Sequence, residues 1–243
     1  MRFYAIGDIH GHLDKLYAAH QRIEADRART GDHSAPVIHL GDLVDRGPDS
    51  RGVIEFLITG KLEGAPWIVL AGNHDRLLAD QLDLGCEPRF AIRSWCSETI
   101  GGTETMLSYG VSPPTWATAG RSRRALVEAV PAHHRAFLEA LPLTHETDEI
   151  LFVHAGIRPG LAFSEQVEDD LLWIRREFLD DPRDHGRLIV HGHTPVLEPE
   201  HHGNRVNLDS GAAFGRGLSA AVFEGRSCHV LEESGRRALD PKK

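Results

Sequence analysis

Five short apolar runs in this chain each stop on a glycine-bearing cluster of aspartate, asparagine or histidine. Phe3-Tyr4-Ala5-Ile6 leads into GDIHG (7–11), Val37-Ile38-His39-Leu40 into GDLVDRG (41–47), and Trp67-Ile68-Val69-Leu70 into AGNHD (71–75). Further on, Ile150-Leu151-Phe152-Val153 leads into HAG (154–156) and Leu188-Ile189-Val190 into HGHTP (191–195). Short continuous apolar runs ended by turn residues predict buried strands. Each polar cluster then falls at the carboxyl end of its strand, where α/β sheets bind ligands. The pattern predicts an α/β fold with one site assembled from five strand ends.

Helical segments lie between the strands. Leu13, Leu16, Tyr17, His20 and Ile23 follow helical spacing over 12–29, and Asp49 or Ser50 is positioned to cap a helix carrying Val53, Ile54, Phe56 and Leu57. Residues 167–179 read as one further helix. RVNLDSG (205–211), LSAAVFEG (218–225) and SCHVLEE (227–233) predict a closing run of antiparallel strands, and the tail RRALDPKK is expected to fray. Residues 80–145 carry no strand-plus-ligand unit. Pro113-Pro114 and Ala119-Gly120 interrupt them, and the later part reads as helical. They form a helical cap or insertion within one domain spanning 1–243, with substrate selection and plain packing as equal readings of its purpose.

Composition narrows the partners. The 243 residues carry a net charge of −9, and no basic run exceeds Arg121-Ser122-Arg123-Arg124, which argues against nucleic acid as the main partner. No apolar run is long enough to span a bilayer, and the MRFYAIGD opening does not resemble a signal peptide. Cys86, Cys96 and Cys228 make no metal-type C-x-x-C pair and suit a reducing compartment, so a cytoplasmic location without membrane partners is expected. The oligomeric state is not legible.

Taken together, the clusters supply Asp8, His10, Asp42, Asn73, His74, His154, His191 and His193. Carboxylate oxygen with imidazole nitrogen suits Mn, Fe, Zn and similar divalent ions. The set is large enough for two ions, and a carboxylate with two oxygens can bridge them. Such a pair clamps the attacking and leaving oxygens of phosphoryl transfer. Alone, D-x-H, GNHD or H-x-H is more often a turn with a nearby histidine than a site. Five in series, each at a predicted strand end, leave chance little room.

In this order, GDIHG, GDLVDRG, GNHD, HAG and HGHTP resemble the signature of the PPP-type metal-dependent serine/threonine phosphatases, part of the wider calcineurin-like metallophosphoesterases. HAG in place of HGG and GNHD in place of GNHE are similar to the short bacterial and phage members. With NLDSGA at 207–212, the likeness covers most of the chain. It implies a central β-sandwich flanked by helices, with metal ligands on loops at strand carboxyl ends. It also implies roles. Asp8 and His10 would hold the first of two divalent ions, Asp42 would bridge, and Asn73, His154 and His193 would complete the second. His191 would pack behind them. His74 would be the general acid, with Asp45 orienting its imidazole. Arg46, Asn73 and Arg175 would bind the substrate phosphate. Manganese is the expected metal, with iron or zinc as alternatives.

The implied reaction is direct in-line attack by a metal-bridging hydroxide on a phosphomonoester, with a phosphoprotein or phosphopeptide as substrate and serine/threonine or dual specificity. Elementary chemistry agrees with these roles. Metals and arginines offset the repulsion between a phosphate dianion and an anionic nucleophile, and a poor alkoxide leaving group needs a proton from an imidazole whose carboxylate neighbour keeps it charged. A covalent phosphoenzyme has no support, because no C-x₅-R loop, phosphate-binding G-x-x-x-x-G-K or nucleophile elbow occurs. The same motifs are similar to symmetrical diadenosine tetraphosphatases, whose pattern has a small residue where Asp45 stands. Asp45 therefore tilts the sequence reading towards alkyl phosphate esters. A metal-binding protein without catalysis is the third reading.

Overall fold

A computed structural model describes residues 1–242. Two mixed sheets stack face to face, with helices on both outer sides. The first sheet contains β1 (Arg2–Ile6), β2 (Val37–His39) and β3 (Trp67–Val69); the second contains β4 (Thr144–Glu146), β5 (Ile150–Val153), β6 (Leu188–His191), β7 (Glu200–His201) and β8 (Arg205–Asn207). The chain then returns to the first sheet with β9 (Ala220–Glu224), β10 (Ser227–Glu232) and β11 (Gly235–Ala238). The strand orders are β11-β10-β9-β1-β2-β3 and β4-β5-β6-β8-β7. All five ligand-bearing runs are strands. β1, β2 and β3 are mutually parallel, as are β5 and β6, so their carboxyl ends converge.

Strand alternation builds the layers. Phe3 and Ala5 face inward and join Ile38, Phe152, Val190, Val206 and Phe223 in the core between the sheets. Tyr4 and Ile6 point the other way, onto Leu16 and Ile23 of α1 (Leu13–Thr30) and Val53, Ile54 and Leu57 of α2 (Ser50–Leu62). On the far side of the second sheet, Leu151, Val153 and Ile189 pack on Leu171, Ile174 and Phe178. Asp49 caps α2 by accepting from Gly52 N at 2.8 Å, which satisfies one of the free amides at a helix start.

After α3 (Asn73–Leu82), the segment between the sheets is helical: α4 (Ile92–Trp95), α5 (Gly102–Ser108), α6 (Ala119–Ala129) and α7 (Ala132–Glu139). Among the described residues, no helix is long and apolar enough to cross a membrane.

Three expectations are corrected. First, β8 is not part of an antiparallel closing run; it pairs parallel with β6, matching Val190 to Val206. Adjacency in sequence suggested a hairpin, but the ladder offered by β6 takes the strand instead. Second, the tail does not fray at 236–238, where β11 pairs with β10. Arg236 anchors it, donating from Nε and Nη2 to Asp26 at 2.8 Å each. Third, the helix over 167–179 is broken into α8 (Glu168–Trp173) and α9 (Arg176–Leu179). Ile174 turns extended at ψ 142°, and Arg175 has φ −131° and ψ −99°. The break leaves Arg175 exposed.

Candidate metal centre and active site

Among the described residues, five that are not glycine have a positive φ between 46° and 70°: His10, Asp42, Asp45, Arg46 and His193. The left-handed region is costly for residues with a Cβ, and strain of this kind clusters at functional sites. All five are residues that the sequence placed in the site.

Asp42 sits at the centre. Its Oδ2 lies 3.5 Å from His10 Nε2, while its Oδ1 lies 3.3 Å from His154 Nε2. The two oxygens therefore face two different imidazoles, as a bridging carboxylate requires. Gly72 makes the approach possible: a Cβ there would lie 2.1 Å from Asp42 N and 2.2 Å from Asp42 Oδ1. Gly192 does the same for Asp8, whose Oδ1 would be 1.9 Å from such a Cβ.

On one side of Asp42 are Asn73, His154 and His193. Asn73 Oδ1 lies 2.9 Å from both His154 Nε2 and His193 Nδ1. His154 Nδ1 donates to Leu40 O at 2.9 Å, which fixes the tautomer. Burial keeps this imidazole below its ordinary pKa, against the pull of Asp42, so the ring is neutral and Nε2 carries a lone pair. That lone pair, Asn73 Oδ1 and Asp42 Oδ1 converge, and acceptors so placed repel unless a cation takes them. Asp42, His154 and His193 have donor atoms within 4.8 Å of one another. His191 turns away from the group. It donates from Nδ1 to Gly192 O and accepts from Arg205, with its ring against Phe178.

On the other side are His10, His74 and Asp8. His10 Nδ1 donates to Val44 O at 2.9 Å, leaving Nε2 towards Asp42. His10, Asp42 and His74 are the donors that come within 4.8 Å of one another, and Asp8 lies outside that trio. Asp8 is buried, with Oδ2 accepting from His193 N and Oδ1 without a partner. Burial, then Asp209 and Asp42, push its pKa well above the carboxylate range. A buried acid beside two others is compensated by a cation. His193 Nε2 is likewise buried without a partner. These orphaned atoms and the convergent lone pairs fit the divalent pair that the sequence resemblance implies.

His74 differs from its neighbours. Its Nδ1 donates to Asp45 Oδ2 at 2.8 Å. Burial works against its charge, but Asp42 and Asp45 outweigh that, and its pKa is raised. Asp45 is fully buried and takes two further bonds, from Trp95 Nε1 at 3.0 Å and from Thr105 Oγ1 at 2.7 Å. Arg46 donates to His10 Nε2 at 2.7 Å and His74 Nε2 at 3.1 Å. Arg175 lies on the opposite rim, 3.4 Å from Thr194 Oγ1 of the HGHTP loop. Arg158 is taken by Asp170 through two bonds of 2.7 and 2.5 Å, so it is a loop arginine.

Sequence reasoning missed four contributors. Trp95 and Thr105 come from the insertion, which no motif links to the site. Asp75 ties the two loops around Asp42, accepting from Leu43 N and Gly72 N; burial, then Asp42, raises its pKa to about 8. Asp209 stands in the NLDSGA string that the sequence singled out without assigning a role. It accepts from Gly211 N, and burial, with Asp42 adding to it, raises its pKa to about 6.

Residues 1–223 match the family described as Calcineurin-like phosphoesterase. The chain is 27% identical over 244 residues to the asymmetrical bis(5'-nucleosyl)-tetraphosphatase PrpE of Halalkalibacterium halodurans, covering 92% of this chain and 90% of that one. It is 26% identical over 242 residues to the PrpE of Bacillus subtilis, covering 92% and 91%. Among solved structures, a protein provisionally assigned as a diadenosine tetraphosphatase superimposes with TM-score 0.63 at 23% identity, over 95% of this chain and 92% of that one. A cold-active protein-tyrosine phosphatase from Shewanella superimposes with TM-score 0.60 at 15% identity, over 98% and 80%. At these identities the superpositions speak for the fold alone. The match across residues 1–223, on a two-sheet scaffold with its donors at the strand ends, makes this chain a member of the calcineurin-like phosphoesterase family.

Proposed function

We propose that the protein hydrolyses dinucleoside polyphosphates, cleaving a dinucleoside tetraphosphate asymmetrically. The observation that carries this is the match, over about nine-tenths of both chains, to relatives named for that activity. The sequence reading ranked phosphoprotein first and the symmetrical dinucleotide reaction second, on the strength of Asp45. The relatives' names favour a dinucleotide substrate instead. Geometry lends support at the rim. Phe214 is 59% exposed, with the guanidinium carbons of Arg46 and Arg216 at 5.5 and 6.0 Å from its ring centre. A flat apolar face beside a phosphate-binding arginine suits a nucleobase.

Asp8, His10 and Asp42 would hold one ion, and Asp42, Asn73, His154 and His193 the other. When bound, the pair supplies Lewis-acid polarisation of phosphoryl oxygens and an ionised water at neutral pH. Arg46 turns from the two imidazoles to the phosphate oxygens, and Arg175 meets them from the opposite rim. His74 then carries a proton on Nε2 towards the departing oxygen, with Asp45 holding its Nδ1–H.

The Asp45–His74 pair favours a second reading, a phosphomonoester of a protein side chain, because an alkoxide needs that proton more than a nucleotide does. Rates on diadenosine tetraphosphate, a phosphoserine peptide and a phosphotyrosine peptide, each with Mn, Fe or Zn, separate the two. The dinucleotide is expected to be the best substrate by kcat/KM and to yield ATP and AMP. Two ADP would overturn the asymmetry, and a faster phosphopeptide would reverse the ranking.

A further inference from the structure

We propose that Glu55, His133 and His134 form a separate binding site for one zinc-class divalent ion, tying α7 to α2. Glu55 lies on α2, while the two histidines are consecutive in the first turn of α7. Both imidazoles aim Nε2 at the same oxygen: Glu55 Oε2 is 2.7 Å from His134 Nε2 and 3.2 Å from His133 Nε2. The rings meet edge-on, with centres 4.5 Å apart at 85°, so adjacent residues direct their nitrogens to one point. All three donor atoms fall within 4.8 Å of one another. In a tetrahedral zinc site with bonds near 2.0 Å, donors are about 3.3 Å apart, so small side-chain rotations suffice.

The chemistry favours an ion over a plain ion pair. Each imidazole–carboxylate contact needs a proton on Nε2, and both contacts share one oxygen. A cation replaces both protons and is met by two lone pairs and a carboxylate. His134 is fully buried, and its Nδ1 lies 2.8 Å from the buried hydroxyl of Tyr109; when an ion takes the place of the Nε2 proton, the ring's N–H moves to Nδ1 and that hydroxyl turns to accept it. A ligating histidine usually donates its other N–H to such an outer partner, which fixes ring and tautomer. Glu55 and His133 are each 55% exposed at the side chain, giving an ion a route in and leaving a fourth position for water. Two imidazoles and one carboxylate select Zn, Co, Ni or Cu over Mg and Ca. Tyr109 follows α5, the helix that carries Thr105, so an ion here would brace the segment that holds Asp45.

The test uses the full chain, stripped with chelator and then given zinc alone. After gel filtration, the wild type is expected to retain about one ion more than His133→Ala or Glu55→Gln. Zinc should raise the thermal midpoint of the wild type more than that of either variant, and slow amide exchange in α7 only in the wild type. Manganese-supported turnover should be the same in all three, within about twofold, since neither residue belongs to the catalytic group. His133 is exposed, so its replacement spares the core. Equal zinc content in the wild type and both variants would overturn the site. An extra ion with unchanged exchange in α7 would overturn the tie between the helices.

Discussion

The two sides of Asp42 are built differently. The Asn73–His154–His193 side rests on the sheets and their strand ends: His154 is oriented by Leu40 O, the residue after β2, and His193 N is tied to Asp8 at the end of β1. The Asp45–His74–Arg46 side rests on the insertion. Trp95 and Thr105 hold Asp45, and Arg46 N donates to Gly101 O at 2.9 Å. One side is fixed by the fold's own ladders, whereas the other depends on helices packed over it. Under the proposed roles, metal binding would belong mainly to the scaffold, and proton delivery to the helical segment between the sheets.

Replacing the one residue common to both sides has the largest effect. Asp42→Asn keeps the volume but removes the charge that both imidazole groups share, and turnover is expected to fall by about 10³-fold or more. Metal content after gel filtration should fall in parallel. Retained turnover would end the bridging role.

Asp45→Asn tests the insertion-held side alone. Turnover on an alkyl phosphate is expected to fall by about 10²- to 10³-fold, and much less on p-nitrophenyl phosphate, whose leaving group needs no proton. Metal content should stay at the wild-type level. The pH profile provides a second readout. Asp42 and Asp45 hold the His74 pKa above its ordinary value, and the protonated form would be the donor in the proposed reaction. Removing the Asp45 charge lowers that pKa, so the alkaline limb of kcat should move to lower pH. An unmoved limb would mean that His74 is not the acid.

The difference between the sides also explains what the sequence made legible. Asp8, Asp42, Asn73, His154 and His193 were readable because each follows an apolar strand directly, so local order and three-dimensional position coincide. Trp95 and Thr105 were not. They reach Asp45 across 50 and 60 residues from helices whose sequence shows only apolar spacing. The same logic governs the fold. β1, β2, β3, β5 and β6 are continuous apolar runs and were legible. β11 is four residues with two arginines, and it exists because β10 pairs with it and Asp26 receives Arg236. The break at Ile174–Arg175 has no glycine or proline to announce it. In tertiary context it releases Arg175 towards the HGHTP loop.

A milder change dissects the insertion's contribution. Trp95→Phe keeps the buried ring but removes the Nε1–H that Asp45 Oδ2 accepts, leaving Thr105 and His74 as partners. Turnover should fall by about tenfold, on the scale of other outer-shell substitutions, with ion content unchanged. A matching loss of metal would show that the insertion supports both sides, and the contrast would fail.

The smallest effect on activity is expected where neither side reaches, and it guards the comparison against a trivial explanation. Asp26 is buried between α1 and the last strand, accepting from Tyr4 Oη at 2.9 Å and twice from Arg236, with Arg29 also bound. Burial disfavours its charge, but Arg236, Tyr4 and Arg29 overcome that and hold its pKa at about 2. A carboxylate depressed in the folded state contributes stability above its ordinary pKa and loses it as pH falls through the folded value. Asp26→Asn is therefore expected to cost about 1–3 kcal/mol at neutral pH, read by urea unfolding. The gap from wild type should close between about pH 4 and pH 2. Turnover per folded molecule should stay within about twofold. If it fell as far as in Trp95→Phe, the Asp45 side would be answering to global stability, and its dependence on the insertion would have to be withdrawn.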